Sequence, residues 1–239
     1  MKTDFTNTLV IGVSSRALFD LEEENRIFET EHIQAYRKYL SEHEAEPLKV
    51  GTAFYLVKNL LELNKLVEIP MVEVVLMSKN SPETGVRMLN SIAHYKLDIS
   101  RIALTGGEPL APYMDAFGID LFLSKDAADV QRIIDNGKCA AALIYAPPKA
   151  FHPENSRVKI AFDADAVLFS EESELRYKKE GLDAFRKFEA GHANDSLDEG
   201  PFAKLLIKLS KIQEQLPTGI EYSPLRLAIV TARNAPSHM

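Results

Sequence analysis

Asp163 and Asp165 stand two residues apart at the end of the apolar run Lys159-Ile160-Ala161-Phe162, and a second apolar run, Ala166-Val167-Leu168-Phe169, follows at once. Core packing does not explain two carboxylates in that setting. Alternate side chains of an extended chain share a face, so the two negative charges converge and favour a hard cation with oxygen ligands. Magnesium fits best, because it usually takes one or two carboxylates and completes its shell with water and phosphate oxygens. Asp163 and Asp165 are therefore the candidate metal ligands. A helix-loop-helix calcium site is excluded, since it needs further oxygen ligands and a central glycine where Ala166, Val167 and Leu168 stand. An Asp-x-Asp pair also holds the metal of nucleotide-sugar glycosyltransferases, and nothing local excludes that chemistry. The non-catalytic alternative is an acidic pair that caps the next helix.

A second strand end bears on the choice. Leu227-Ala228-Ile229-Val230-Thr231-Ala232-Arg233 places a hydroxyl and turn amides directly after an apolar run. In a doubly wound sheet ligands sit beyond the carboxyl ends of the strands, so Thr231 is positioned to share a crevice with Asp163. Hydroxyl and amide donors suit a phosphoryl oxygen.

The elements that would hold these residues read as α/β. Short aliphatic runs recur between longer segments of helical period, the pattern of a parallel sheet covered by crossover helices. Strands are expected at 8–13, 72–77, 101–105, 120–123, 140–144, 158–162 and 225–231. The clearest helices are 54–66, with apolar residues at 56, 57, 60, 61 and 63, and 127–136, ended by Gly137. The acidic run Glu22-Glu23-Glu24 reads as a solvated helix start. Between Ser170 and Pro224 the chain turns charged and helix-prone, which suggests a helical insertion at about 171–224 that either lids the site or simply covers the sheet.

A weak internal repeat relates the two halves. An offset of 150 carries Val13, Ser15 and Phe19 to Asp163, Asp165 and Phe169, and an offset of 154 carries Asn80 to Asn234. If the unit is duplicated, the first copy has lost both carboxylates and only the second is equipped for chemistry. The division expected is an α/β half at 1–150 and a catalytic half at 151–239.

Bulk properties narrow the partners. The 239 residues are 46% apolar, enough for a sizeable core, and carry a formal charge of -7 without a basic stripe, which argues against a nucleic acid polymer. The first residues, Met1 to Val13, lack the form of a signal peptide, and no apolar run is long enough to span a bilayer, so no membrane is expected and the location expected is the cytoplasm. Cys139 is the only cysteine and sits in an apolar run, where burial as a small hydrophobe is the expectation. His32, His43, His94, His152, His192 and His238 show no metal-ligand spacing. Thr105-Gly106-Gly107-Glu108-Pro109 reads as a tight turn. The oligomeric state, a homo-oligomer included, is left open by the sequence.

Five segments resemble the cytosolic 5'-nucleotidase I family of the haloacid dehalogenase superfamily. They are Val13-Ser14-Ser15-Arg16-Ala17-Leu18-Phe19, Gly85-Val86-Arg87-Met88-Leu89-Asn90-Ser91-Ile92, Thr105-Gly106-Gly107, Phe162 to Ser170, and Val230-Thr231-Ala232-Arg233. The resemblance implies a haloacid dehalogenase-like, doubly wound parallel sheet with a degenerate N-terminal repeat and a small helical cap. It implies hydrolysis of nucleoside 5'-monophosphates such as AMP. Asp163 would be the nucleophile and Asp165 the acid/base. Mg2+ would be held by the Asp163 carboxylate and the Asp165 carbonyl, while Thr231 and the Ala232 amide orient the phosphoryl group. Two motifs of the superfamily, a later Lys and a later acidic pair, have no counterpart after Thr231, and Lys204, Lys208 and Lys211 come too early in the order. The expectation is therefore a truncated chain holding half of an active site, with weak or no turnover, or a non-catalytic nucleotide-binding module.

Overall fold

The computed structural model describes residues 7–31, 33–148, 150, 152–153, 157–163 and 202–230. Strand β1 (Leu9–Ser14) is buried along its whole length. A near-continuous apolar strand of this kind belongs in the middle of a parallel sheet with both faces covered. It pairs in parallel with β4 (Val72–Ser78) on one side and with β6 (Leu121–Ser124) on the other. β5 (Arg101–Leu104) lies outside β4 and β7 (Ala140–Leu143) outside β6, giving the order β5-β4-β1-β6-β7. The chain therefore builds outward from β1 in one direction and then in the other, and the reversal between β1 and β6 is a topological switch point.

The pleat divides the core in two. Leu9, Ile11 and Val13 face one cluster, packed by α4 (Phe54–Glu62) and α5 (Pro82–His94) through Val57, Leu60, Met88 and Ile92. Val10 faces the other, with Phe122, Met114 of α6 (Tyr113–Phe117) and Ile133 of α7 (Ala127–Asn136). The sheet is thus covered on both faces, as a doubly wound fold requires. The helix expected at 54–66 is α-helical to Glu62 and tightens to a 3-10 turn at Leu63–Leu66. α7 has the expected bounds: the Asp126 carboxylate accepts from the amides of Ala128 and Asp129, and Gly137 closes it at φ 65°.

After β1, a single turn α1 (Ser15–Leu18) leads into a helical insertion, α2 (Glu22–Thr30) and α3 (Ile33–Glu42), whose ends are joined by two-residue strands β2 (Phe19–Asp20) and β3 (Lys49–Val50). Gly51 allows that joint to close. A Cβ there would lie 2.6 Å from the Ala17 carbonyl oxygen. The insertion is also fastened to α5 by a buried ion pair, Arg87 Nη1 to Glu24 Oε1 at 2.5 Å, while Arg87 Nε donates to the Glu46 carbonyl at 2.8 Å.

A separate parallel pair, β8 (Val158–Asp163) and β9 (Leu225–Val230), forms the rest of the described sheet structure. Helix α8 (Ala203–Gln215) buries Leu205, Leu209 and Ile212 in the first cluster, and Lys208 pairs with Asp120 at 2.7 Å. This part of the expected 171–224 insertion therefore covers the core, and residues 171–201 lie outside the described residues. The strand registers answer to the repeat. β1 and β4 align Val13 with Leu76, and β8 and β9 align Asp163 with Val230. Offsets of 150 and 154 carry the first aligned pair onto the second.

Removing Glu24 would strand the Arg87 guanidinium among buried groups, with the Glu46 carboxylate at 4.0 Å as its remaining ion-pair partner among the described residues. Glu24→Ala is expected to lower the unfolding free energy by about 3 kcal/mol, read from urea denaturation. An unchanged midpoint would show that the pair does not fasten the insertion.

Candidate functional site

Asp163 is the last residue of β8 and is exposed at the carboxyl end of the strand. Its ladder neighbour Val230 is the last residue of β9. The ladder therefore sets Asp163 beside Val230. Asp165, Thr231 and Ala232 lie outside the described residues. An exposed carboxylate at a strand end is a donor of the right hardness for magnesium and fits as one of the one or two that this ion takes. Among the described residues, no group of three or more His, Cys, Asp or Glu side chains gathers as a metal site.

The corresponding edge of the five-stranded sheet is built differently. Val13, which the repeat equates with Asp163, is fully buried. Ser14, Ser15, Ser78 and Ser124 sit at the ends of β1, β4 and β6, with Ser15 Oγ 3.0 Å from Ser78 Oγ. Lys79 follows β4 and places its Nζ 2.6 Å from Asp129 and 3.7 Å from Asp126. An ammonium group thus occupies the space between two carboxylates. Burial pushes the Asp126 carboxyl upward, but the amides of Asp129 and Ala128 and the Lys79 charge outweigh it and hold it below the usual carboxylate range. Above this edge the α2–α3 insertion encloses a cleft of about 580 Å³ that runs down to Lys79 and Asp126.

The sequence reading missed this cleft. Its signals were a Lys and an Asp each placed just beyond an apolar strand, and their meeting depends on β4 and β6 flanking β1.

The family profile described as 5'-nucleotidase matches residues 1–239, the whole chain. The chain belongs to the 5'-nucleotidase family. Human cytosolic 5'-nucleotidase 1B is 35% identical over an alignment of 239 residues that covers 97% of this chain and 39% of the relative. The chain thus spans well under half the length of that curated relative. Among solved structures, the HAD domain of the effector protein Lem4 from Legionella pneumophila is similar at a TM-score of 0.35 and 14% identity, covering 60% of this chain and 88% of that one. An inactive mutant of the same domain gives 0.36 and 12%, covering 76% and 98%.

Within this 5'-nucleotidase-family fold the remaining sequence candidates take structural places. Lys208 is occupied by Asp120 and by the Thr8 carbonyl at 3.0 Å. The His43 ring shares a 2.8 Å hydrogen bond with the Tyr39 carbonyl, and Thr105-Gly106-Gly107 is the expected turn, with φ of 63° and 102° at its glycines. No described helix is long and apolar enough to cross a membrane. Cys139 packs against the second core cluster, and burial, then the nearby Asp120 charge, push its thiol up to about 12.

That shift disqualifies Cys139 as a nucleophile near neutral pH. At pH 8 a disulfide reagent is expected to label Cys139 in the folded protein at least about thirtyfold more slowly than in urea, because a roughly thousandfold lower thiolate fraction is only half offset by greater nucleophilicity. Equal rates would contradict the burial.

Proposed function

We propose that this 5'-nucleotidase-family chain hydrolyses nucleoside 5'-monophosphates, AMP-like in kind, to nucleoside and phosphate. The observation that supports the reading is the parallel pairing of β8 with β9, which aligns Asp163 with Val230, the residues that Asp165 and Thr231 closely follow in the sequence. Family membership and the name of the human relative, a 5'-nucleotidase, favour phosphate-ester chemistry over the glycosyltransferase alternative.

In this reading a carboxylate oxygen of Asp163 attacks the phosphorus, and the bond from phosphorus to the ribose oxygen breaks. Asp165 gives its proton to that departing oxygen. It then takes a proton from water, whose oxygen attacks the phosphorus, releasing phosphate and restoring the Asp163 carboxylate. The Thr231 hydroxyl and Ala232 amide hold phosphoryl oxygens through both displacements. The Asp163 carboxylate and the Asp165 carbonyl would hold Mg2+, which would supply charge neutralisation at those oxygens.

We read residues 151–239 as the catalytic half with its cap within 171–224, and residues 1–150 as a duplicated half without the carboxylates. The matched registers of β1/β4 and β8/β9 support that division. The setting we infer is the cytoplasm, in keeping with the name of the human relative.

Phosphate release from AMP, with magnesium and with chelator, tests the proposal. Whatever magnesium-dependent release the wild type shows is expected to fall to background in Asp163→Asn. Release unchanged by that substitution would remove Asp163 as nucleophile. AMP binding without any release would favour a non-catalytic nucleotide-binding module.

A further inference from the structure

The cleft beneath α2 and α3 sits at the switch point of the five-stranded sheet, where doubly wound folds hold ligands, yet its strand end offers a buried valine where a nucleophilic carboxylate would stand. Its volume of about 580 Å³ lies within the range of small-molecule sites. The lining is cationic in an acidic chain. Arg16, Arg37, Lys79 and Arg87 face Glu24 and Asp126, while the whole chain carries -7.

The cations at the sheet end are held in place. Lys79 is braced by Asp129, and Arg16 Nη2 lies 3.6 Å from Glu22. Arg16 Nε, however, is buried and finds no acceptor among the described residues. The Arg16 side chain is 40% exposed and lines the cleft, so its guanidinium can turn to an anionic oxygen there and form a charge-assisted hydrogen bond.

The mouth is of opposite character. Phe28 and Ile33 are 57% and 50% exposed, large apolar side chains on the insertion that fill no core. Phe28 meets Tyr36 edge to face, with ring centroids 5.3 Å apart. Burial, then the Glu24 charge, push the Tyr36 phenol upward, so it stays neutral beside Asn80. Such a wall suits the flat face of a heteroaromatic ring.

From these features we infer that the cleft of residues 1–150 binds a nucleoside phosphate without hydrolysing it. The phosphate lies at Arg16 and Lys79, and the base rests against Phe28, Ile33 and Tyr36. The inference goes beyond the catalytic proposal and is independent of it, because Asp163, Asp165 and Thr231 take no part.

The test is titration with AMP carrying an N-methylanthraniloyl fluorophore on its ribose, with unlabelled AMP, adenosine and inorganic phosphate as competitors. Asp163→Asn is expected to keep a saturable site. In that background, Arg16→Gln and Phe28→Ser are each expected to weaken it by roughly tenfold, the loss of one charge-assisted or stacking contact. Phe28 is exposed, so its substitution should leave the melting temperature unchanged. Loss of all saturable binding in Asp163→Asn would overturn the inference, as would wild-type affinity in both cleft variants. Competition by inorganic phosphate but not adenosine, with Phe28→Ser unaffected, would overturn its nucleoside part. A failure of the catalytic proposal shows instead as unchanged phosphate release in Asp163→Asn, whatever the cleft binds.

Discussion

The double pairing of β1 is the constraint on which the rest of the structure depends. Its six residues are buried, hydrogen-bonded to β4 on one side and β6 on the other, with an apolar cluster against each face. A strand in that position has no freedom of register, because a shift of one residue would exchange the side chains of its two faces. With β1 held, the ends of β1, β4 and β6 meet at one edge, and Ser15, Ser78, Lys79 and Asp126 become neighbours although more than a hundred residues separate the first from the last. The insertion that follows β1 then stands over this edge, closed at its base by the β2–β3 pairing and braced by Glu24 and Arg87.

The same strand geometry serves two chemistries. At β1 and β4 the aligned pair is Val13 and Leu76, apolar and buried. At β8 and β9 it is Asp163 and Val230, and the carboxylate is exposed. A buried valine at a strand end contributes to the core and nothing to phosphoryl transfer. An exposed aspartate contributes little to the core and is accessible for the nucleophilic role proposed for it. In the proposed reading, that contrast gives core packing to the first strand pair and phosphoryl transfer to the second.

The seven strands read from aliphatic runs all occur, with bounds moved by about a residue, because buried parallel strands are nearly uniform in hydrophobicity. α7 was equally legible, since Asp126 and Gly137 mark its ends by local hydrogen bonding and a left-handed turn. The β2–β3 joint was not, for two residues are too few to show alternation. The Glu24–Arg87 and Lys79–Asp129 pairs left no trace in spacing, because they join residues brought close only by strand order and helix docking. Of the candidate site, the place of Asp163 was legible from its apolar run, whereas the helical insertion over the cleft showed in the sequence only as the acidic helix start Glu22-Glu23-Glu24.

The central claim is that phosphoryl chemistry belongs to the edge of β8 and β9 and not to the edge of β1 and β4. Mass spectrometry of peptides from an acid-quenched reaction with AMP and magnesium tests it most directly, because an acyl phosphate survives acid long enough to be located. The expected result is one phosphoryl group on the peptide containing Asp163 and none on the peptides containing Ser14, Ser15 or Ser78. A phosphoryl group on one of those serines, with Asp163 unmodified, would contradict it.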